Sequence, residues 1–400
     1  MFLDRRPAMI FCKKLIKTIC TCMSLFALIA CCKINANAAE LVVEPVTIVN
    51  KTQEIDEKIP SDATKYAVEK VSEVVEAVKL YYESFENQDM EYSLGIPFVI
   101  YSSTNNAWNS VYYYPLIQDN SIALIISIID TNYGWTLSAS QEMVEELNEI
   151  NYAMDSSWIF YEENNDIIAL SEKEKKVITE DIYGNSNSTF NASDEKIESY
   201  AELVTIISEQ IEAHTPFDTD YIKEISADKD IVESYTPSFS ANTSVSKVCS
   251  LYNAQGQIGG TCWAASVATI VNYRLGTNYT AYDVCDKIGA DYAGGTIDDK
   301  QDALMEYGFN YSKTTSQTSW SSVQRNVAGK HPIAASTFSA NNQGHAVTVY
   351  GYRTLNETDY VFLWNSGTES AQIAEYRSSG TTYTYNSVVW TWTKSLQYLA

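Results

Sequence analysis

An α+β fold is what this sequence predicts, and three observations carry the prediction. In residues 246–400 the helical runs come first and the strand runs second, the order of an α+β domain with two halves. Between residues 92 and 170 short β-branched and aromatic runs stand beside helical periodicity, which describes a smaller sheet with helices at its side. The chain has 400 residues, 45% of them apolar, enough for two folded units that each bury a core.

Residues 1–38 read as an export signal. Lys13, Lys14 and Lys17 precede the apolar stretch from Ile19 to Cys32, and Ala36-Asn37-Ala38 fits the small-x-small rule for cleavage after Ala38; Met9 serves equally well as a start. Leu28-Ile29-Ala30-Cys31 also resembles a bacterial lipobox. A secreted, extracellular protein is therefore expected, with a membrane tether only if Cys31 is lipidated. The short apolar stretch suits cleavage better than a permanent transmembrane helix.

Five of the eight cysteines (Cys12, Cys20, Cys22, Cys31, Cys32) lie in that leader, leaving Cys249, Cys262 and Cys285. An odd count outside the cell allows at most one disulfide plus one free thiol, with Cys249 and Cys285 available to pair. Charge divides the chain further: residues 1–38 carry a net +5, residues 39–245 a net −28 and residues 246–400 a net −1. The middle region is thus a separate acidic body. Neither region offers the basic surface that phosphate binding needs, so nucleic acid is excluded as a partner.

Along the acidic region, residues 39 to about 60 form an extended lead-in, and Tyr66 to Phe85 spaces Ala67, Val71, Val74, Val75, Val78 and Tyr82 as an amphipathic helix. Ile96–Ser102, Val111–Gln118 and Ser121–Asp130 read as hairpin strands, Leu137–Ile150 as a helix, and Trp158–Tyr161 and Ile167–Leu170 as two more strands around Asn164-Asn165. The region has no Cys and no phosphate loop, and its acidic residues do not cluster at ligand spacing, so no metal site is expected. A loop over 181–194, a helix over 195–213 and an exposed linker over 216–246 complete it. In residues 246–400 helices are predicted over 262–275, 282–288, 297–307 and 320–328, then strands over 332–338, 345–352, 360–364 and 388–393.

The chemistry gathers on Gln255-Gly256-Gln257-Ile258-Gly259-Gly260-Thr261-Cys262-Trp263-Ala264-Ala265-Ser266, a glycine-punctuated loop that delivers a cysteine to a helix start. There the unpaired backbone N–H groups and the helix dipole favour an anion, so the Cys262 pKa is expected to fall. A thiolate needs a base, a group that orients the base and donors for an oxyanion. His345, one of three histidines, opens the strand Ala346-Val347-Thr348-Val349-Tyr350-Gly351-Tyr352; His214 and His331 sit in weaker settings. Asn365 ends the next strand and offers its side-chain carbonyl to the imidazole. Gln255 or Gln257 supplies an oxyanion donor beside the Cys262 backbone amide.

These four motifs, Gln-Gly, Cys-Trp-Ala-Ala at a helix start, Gly-His-Ala-Val-Thr-Val-Tyr-Gly-Tyr and Trp-Asn-Ser-Gly, together resemble the papain superfamily of cysteine peptidases and, within it, the bacterial staphopain-like or C39-like branch. The resemblance spans about residues 246–400. It implies a two-lobed papain-like catalytic domain with Cys262 as nucleophile, His345 as general base and acid, Asn365 as orienting group and a glutamine in the oxyanion hole. It also implies polypeptide substrates hydrolysed through a thioester acyl-enzyme, no metal and no organic cofactor, and a zymogen in which residues 39–245 are an intramolecular inhibitory propeptide. Two departures stand out. The family's glutamine lies six residues before the cysteine, whereas Gln255 is seven before and Gln257 five; the Gln255-Gly256 pair favours Gln255. The tryptophan that often follows Asn-Ser is replaced by Gly367, which leaves open what shields the His345–Asn365 pair.

Two other readings use the same residues. A transglutaminase-like acyltransferase would pair Cys and His with an Asp, for which Asp359 is available. A non-enzymatic cell-surface binding protein would carry a silent peptidase fold beside an active acidic domain, which the intact Cys, His and Asn argue against.

Overall fold

The hydrophobic spacing at 67, 71, 74, 75 and 78 does what such spacing should: it makes a helix, α1 (Ser61–Val78), whose Ala67, Val71, Val74, Val75 and Val78 are buried against a sheet. The computed structural model describes residues 59–80, 92–102, 107–108, 111–152, 158–163, 166–171, 174–179 and 245–398, all within one compact unit of residues 49–400. The export signal, the Cys31 lipobox, nearly all of the lead-in, the turn at 164–165, the loop over 181–194, the helix over 195–213 and all but the end of the linker lie outside the described residues. No described helix is long and apolar enough to cross a membrane.

After α1 come β1 (Ser93–Leu94), β2 (Ile100–Ser102), β3 (Ala107–Trp108), β4 (Val111–Gln118), β5 (Ser121–Thr131), β6 (Gly134–Ser140), α2 (Val144–Glu149), β7 (Ile159–Glu163), β8 (Asp166–Leu170) and β9 (Lys175–Thr179). The expected helix over 137–150 is corrected here. Residues 134–140 pair with β5 on one side, and 138–140 also pair with a later strand on the other, so Leu137–Ser140 belong to a sheet interior. Their burial is continuous rather than alternating, and a strand buried on both faces cannot be told from a buried helix by periodicity. Only 144–149 are helical, with Met143, Leu147 and Ile150 facing inward.

The remaining elements are β10 (Ser246–Val248), α3 (Cys262–Leu275), α4 (Ala281–Ile288), α5 (Ile297–Glu306), β11 (Tyr311–Thr314), α6 (Trp320–Ala328), β12 (Ile333–Ser339), β13 (Gly344–Leu355), β14 (Thr358–Asn365), β15 (Ser370–Glu375), β16 (Thr382–Tyr385) and β17 (Val388–Tyr398). The result is a mixed α+β architecture dominated by one large antiparallel sheet. Its order among the described strands is β1-β4-β5-β6-β15-β14-β13-β12-β17-β11, with β10 also on β13 and β16 also on β17. A smaller sheet runs β3-β2-β7-β8-β9.

The join between β6 and β15 carries the sheet from the acidic region into the C-terminal region, with Ile373 opposite Ala139. One core follows that continuity: Val74, Val78, Leu116 and Leu137 share it with Val349, Phe362 and Ile373. A second core lies around α3, α4 and α5. Helix α3 is buried nearly all round, from Trp263 to Asn272, as a helix in the middle of a core must be, and it ends at Gly276 in a left-handed conformation.

Candidate active site

Register brings the histidine and the asparagine together. On β13, His345 and Val347 point to one face, because side chains two apart share a face. Asn365 is the cross-strand partner of Val347 and therefore lies diagonally beside His345 on that face. The side chains meet: His345 Nε2 and Asn365 Oδ1 are 2.8 Å apart. The Gly367 backbone N–H, which can only donate, also reaches Asn365 Oδ1 at 2.9 Å. That contact fixes which end of the amide is oxygen, so Nε2 must carry the imidazole proton. The neutral ring then has Nδ1 as its acceptor. Asn365 is fully buried, and its Nδ2 finds no acceptor among the described residues.

The cysteine is set by α3. Cys262 is the first residue of the helix, after Thr261, whose hydroxyl is tied to Ile258 and so holds the preceding loop in a tight turn. Helix and strand are clasped where they cross: Ser266 Oγ and Thr348 Oγ1 are 2.9 Å apart, and Ser266 Oγ–H donates to Val347 O at 3.3 Å. Cys262 and His345 line the same cleft, of about 630 Å³, together with Gln257, Trp263, Lys300 and Tyr385.

Trp263 shapes one wall. Its indole N–H donates to Ala293 O at 2.8 Å, and a Cβ on Gly295 would lie 2.5 Å from that indole nitrogen, so only glycine lets the 293–295 loop close on the ring. The imidazole is covered by two aromatics: Tyr385 stacks on it at a centroid distance of 4.9 Å and 27°, and Trp390 lies at 5.4 Å and 56°. They stand where a tryptophan after Asn-Ser would have been expected to act. Gly367 is what admits Tyr385, since a Cβ there would lie 2.3 Å from its hydroxyl oxygen.

The two glutamines part company. Gln257 is buried in the cleft wall; its backbone N–H donates to Ser366 O at 2.9 Å, and Ser366 Oγ–H donates to its Oε1 at 3.2 Å. Gln255 lies outside the cleft, its amide donating to Asn253 O at 2.9 Å while its own carbonyl takes the Trp364 indole N–H at 3.0 Å. The structure therefore brings Gln257, not Gln255, to Cys262 and His345. Asp359 stands at the opposite end of β14 from Asn365, taking the Thr354 hydroxyl at 2.7 Å, and His331 stacks on Tyr398 away from the cleft.

The electrostatics depart from the expectation for the thiol. Burial pushes the Cys262 thiol up, against the pull of Lys300 and of the Ala346, Trp263 and Cys262 backbone N–H groups. Burial also holds His345 down to about 4, with Asn365 opposing and Lys300 assisting. Both shifts favour the neutral forms. The helix N-terminus acts in the direction predicted, but desolvation outweighs it. Cys249 and Cys285 are free thiols in different cores, so the disulfide available to them is not made. No three of the described His, Cys, Asp and Glu residues assemble as a metal site.

Tyr385, Trp390 and Lys300 were not singled out in the sequence. Tyr385 lies on β16, a strand too short to show a period, and the Lys300 position reads as one more charge on an acidic helix. Residues 249–397, which contain Cys262, His345 and Asn365, match the model of the Peptidase_C39 like family. That match supports a cysteine peptidase family of the papain-like clan. A search of curated proteins returned no match.

Proposed function

We propose that this chain is a cysteine endopeptidase, exported as a proenzyme, that cleaves polypeptides through a thioester on Cys262. The observation that carries the reading is a single cleft holding Cys262 at a helix start, Gln257, and a His345 whose proton position is dictated by Asn365. In the reaction Nδ1 of His345 takes the thiol proton as Sγ attacks the scissile carbonyl carbon. The oxyanion is met by the Cys262 backbone N–H and the Gln257 side-chain N–H, Oε1 of Gln257 being turned to Ser366. Nδ1–H then protonates the departing amine, and water, deprotonated by Nδ1, hydrolyses the thioester. A substrate that displaces water and brings a polarised carbonyl to the thiol makes proton transfer between two neutral partners productive.

The proenzyme part of the reading is supported by Glu162 on β7, which lines the cleft and receives the Ser387 hydroxyl at its rim. The test is to treat the full chain, before and after limited proteolysis between residues 181 and 244, with an epoxide thiol inhibitor while casein cleavage is followed. A Cys262 adduct, casein cleavage that rises after the cut, and loss of both adduct and cleavage in Cys262→Ala are expected. Casein cleavage that survives in Cys262→Ala, or no cleavage and no adduct after the cut, would overturn the reading.

A further inference from the structure

The mechanism above leaves one buried ionisable side chain in the cleft unused. Lys300, on the second turn of α5, is 2% exposed and lines the same cleft as Cys262 and His345. Its ammonium donates to Ser336 Oγ at 2.5 Å and makes no other hydrogen bond and no ion pair among the described residues. Ser336 is the cross-strand partner of Ala346, one residue beyond the catalytic histidine, so the ammonium sits beside the reaction centre.

Isolated burial of a cation is costly, and a lysine almost never stays there without an anion. The nearby carboxylates are occupied elsewhere. Asp299 closes the capping box with Thr296, Asp298 pairs with Lys313, and Glu162 takes the Ser387 hydroxyl. A second lysine, Lys394, also lines the cleft with its ammonium 5.4 Å from the Phe338 ring centroid. Burial holds Lys300 down to about 8, with Cys262 opposing and Lys394 assisting, as for an ammonium whose desolvation outweighs the negative charge around it.

Building on the peptidase reading, we propose that Lys300 and Ser336 form the floor of a specificity subsite that receives a carboxylate side chain of the substrate, Asp or Glu, next to the scissile bond. Two N–H donors of the ammonium remain for that carboxylate, and in a water-poor cleft the charge-assisted pair discriminates strongly against the neutral amide. Lys394, at the mouth, draws the acidic side chain in.

The experiment uses the full chain cut between residues 181 and 244 and a positional-scanning peptide library, comparing wild type with Lys300→Met and Lys300→Glu. Wild type is expected to prefer Asp or Glu at one position over Asn or Gln by tenfold or more in kcat/KM. Lys300→Met erases that ratio and Lys300→Glu inverts it towards Lys or Arg. Retained alkylation of Cys262 reports that each variant is folded. In parallel, binding of the best Glu peptide and its Gln counterpart to Cys262→Ala, with and without Lys300→Met, is measured by calorimetry.

Cleavage with no acidic preference in wild type overturns the subsite and leaves the peptidase reading standing. A uniform loss on all peptides in Lys300→Met also overturns it, assigning the lysine to the thiolate instead. If no peptide is cleaved, the peptidase reading fails, and calorimetry still decides the subsite: a Glu over Gln preference that needs Lys300 supports it, and equal binding overturns it.

Discussion

At the residue scale the site depends on small features that set large ones. Gly367 has no side chain, and because of that Tyr385 can stack on His345. Gly367→Ala is expected to cost about 1 to 3 kcal/mol of stability as an overpacked contact and to lower kcat/KM by displacing the aromatic cover. That Cβ would also meet the ring carbons Cζ and Cε2 of Tyr385 at 2.4 and 2.9 Å, so Gly367→Ala should cost much less stability in urea unfolding in a Tyr385→Ala background, where the ring is gone. An equal cost in both backgrounds would show that the contact is not the cause.

His345 makes a second prediction. Its folded pKa, about 4, lies below the ordinary value of 6.5, so the unfolded chain binds the proton more readily. The sign follows: the neutral ring contributes full stability above pH 6.5, and that contribution is lost as pH falls towards 4. Between about pH 7.5 and 4.5 wild type should lose on the order of 2 kcal/mol more than His345→Gln. Parallel pH curves for the two proteins would contradict the burial argument.

At the element scale α1 is held by more than its apolar stripe. Glu73 is buried and takes hydrogen bonds from Tyr360 at 2.6 Å and Lys70 at 3.0 Å, while the Lys70 ammonium also reaches Thr358 at 2.6 Å. Tyr66 and Arg377 converge on Glu375, with Arg377 also bound to the carbonyl of Trp135. The helix is thereby tied to β14 and β15, two strands of the C-terminal region. Glu73→Ala leaves the Tyr360 hydroxyl without its acceptor and the Lys70 ammonium without its carboxylate, with only Thr358 among the described residues remaining to it, and should cost about 2 to 4 kcal/mol. The exposed neighbour Lys65→Ala should stay within about 0.5 kcal/mol of wild type. Urea midpoints measure both, and similar small shifts would mean that the network contributes nothing.

Over the whole molecule, the acidic region and the C-terminal region share a sheet through β6 and β15 and share one core. A cut between residues 181 and 244 severs the chain outside the described strands and core residues. The two fragments are therefore expected to co-elute in gel filtration and to separate only in denaturant. Elution of a free C-terminal fragment under native conditions would show that the β6–β15 join is too weak to hold them. Release of inhibition, in the proenzyme reading, then comes from freeing the cleft rather than from shedding the N-terminal body.

Much of this molecule could be read from its sequence, and for identifiable reasons. Helices α3, α4, α5 and α6 and strands β12, β13 and β14 were legible because helical and strand runs are bounded there by Gly276, Gly308, Gly329 and Pro332. The positions of Cys262 at a helix start and of His345 and Asn365 at strand ends were legible from their neighbours, and a nucleophile, a base and an orienting group would need those residue types. Tertiary structure alone decided the rest. Pairing with β5 and β15 turned 137–140, the start of the helix expected over 137–150, into a strand. Which glutamine lines the cleft with Cys262 was decided by the bonds between Gln257 and Ser366, and the cover of the imidazole by the hairpin of β16 and β17. The buried state of Lys300 was decided by α5 packing on α3, α4, β11 and β17, with Ser336 of β12 taking the ammonium. Local pattern specifies which side chains are available, but burial and cross-strand register act between residues far apart in the chain, and they determine which of those side chains meet and in what charge state.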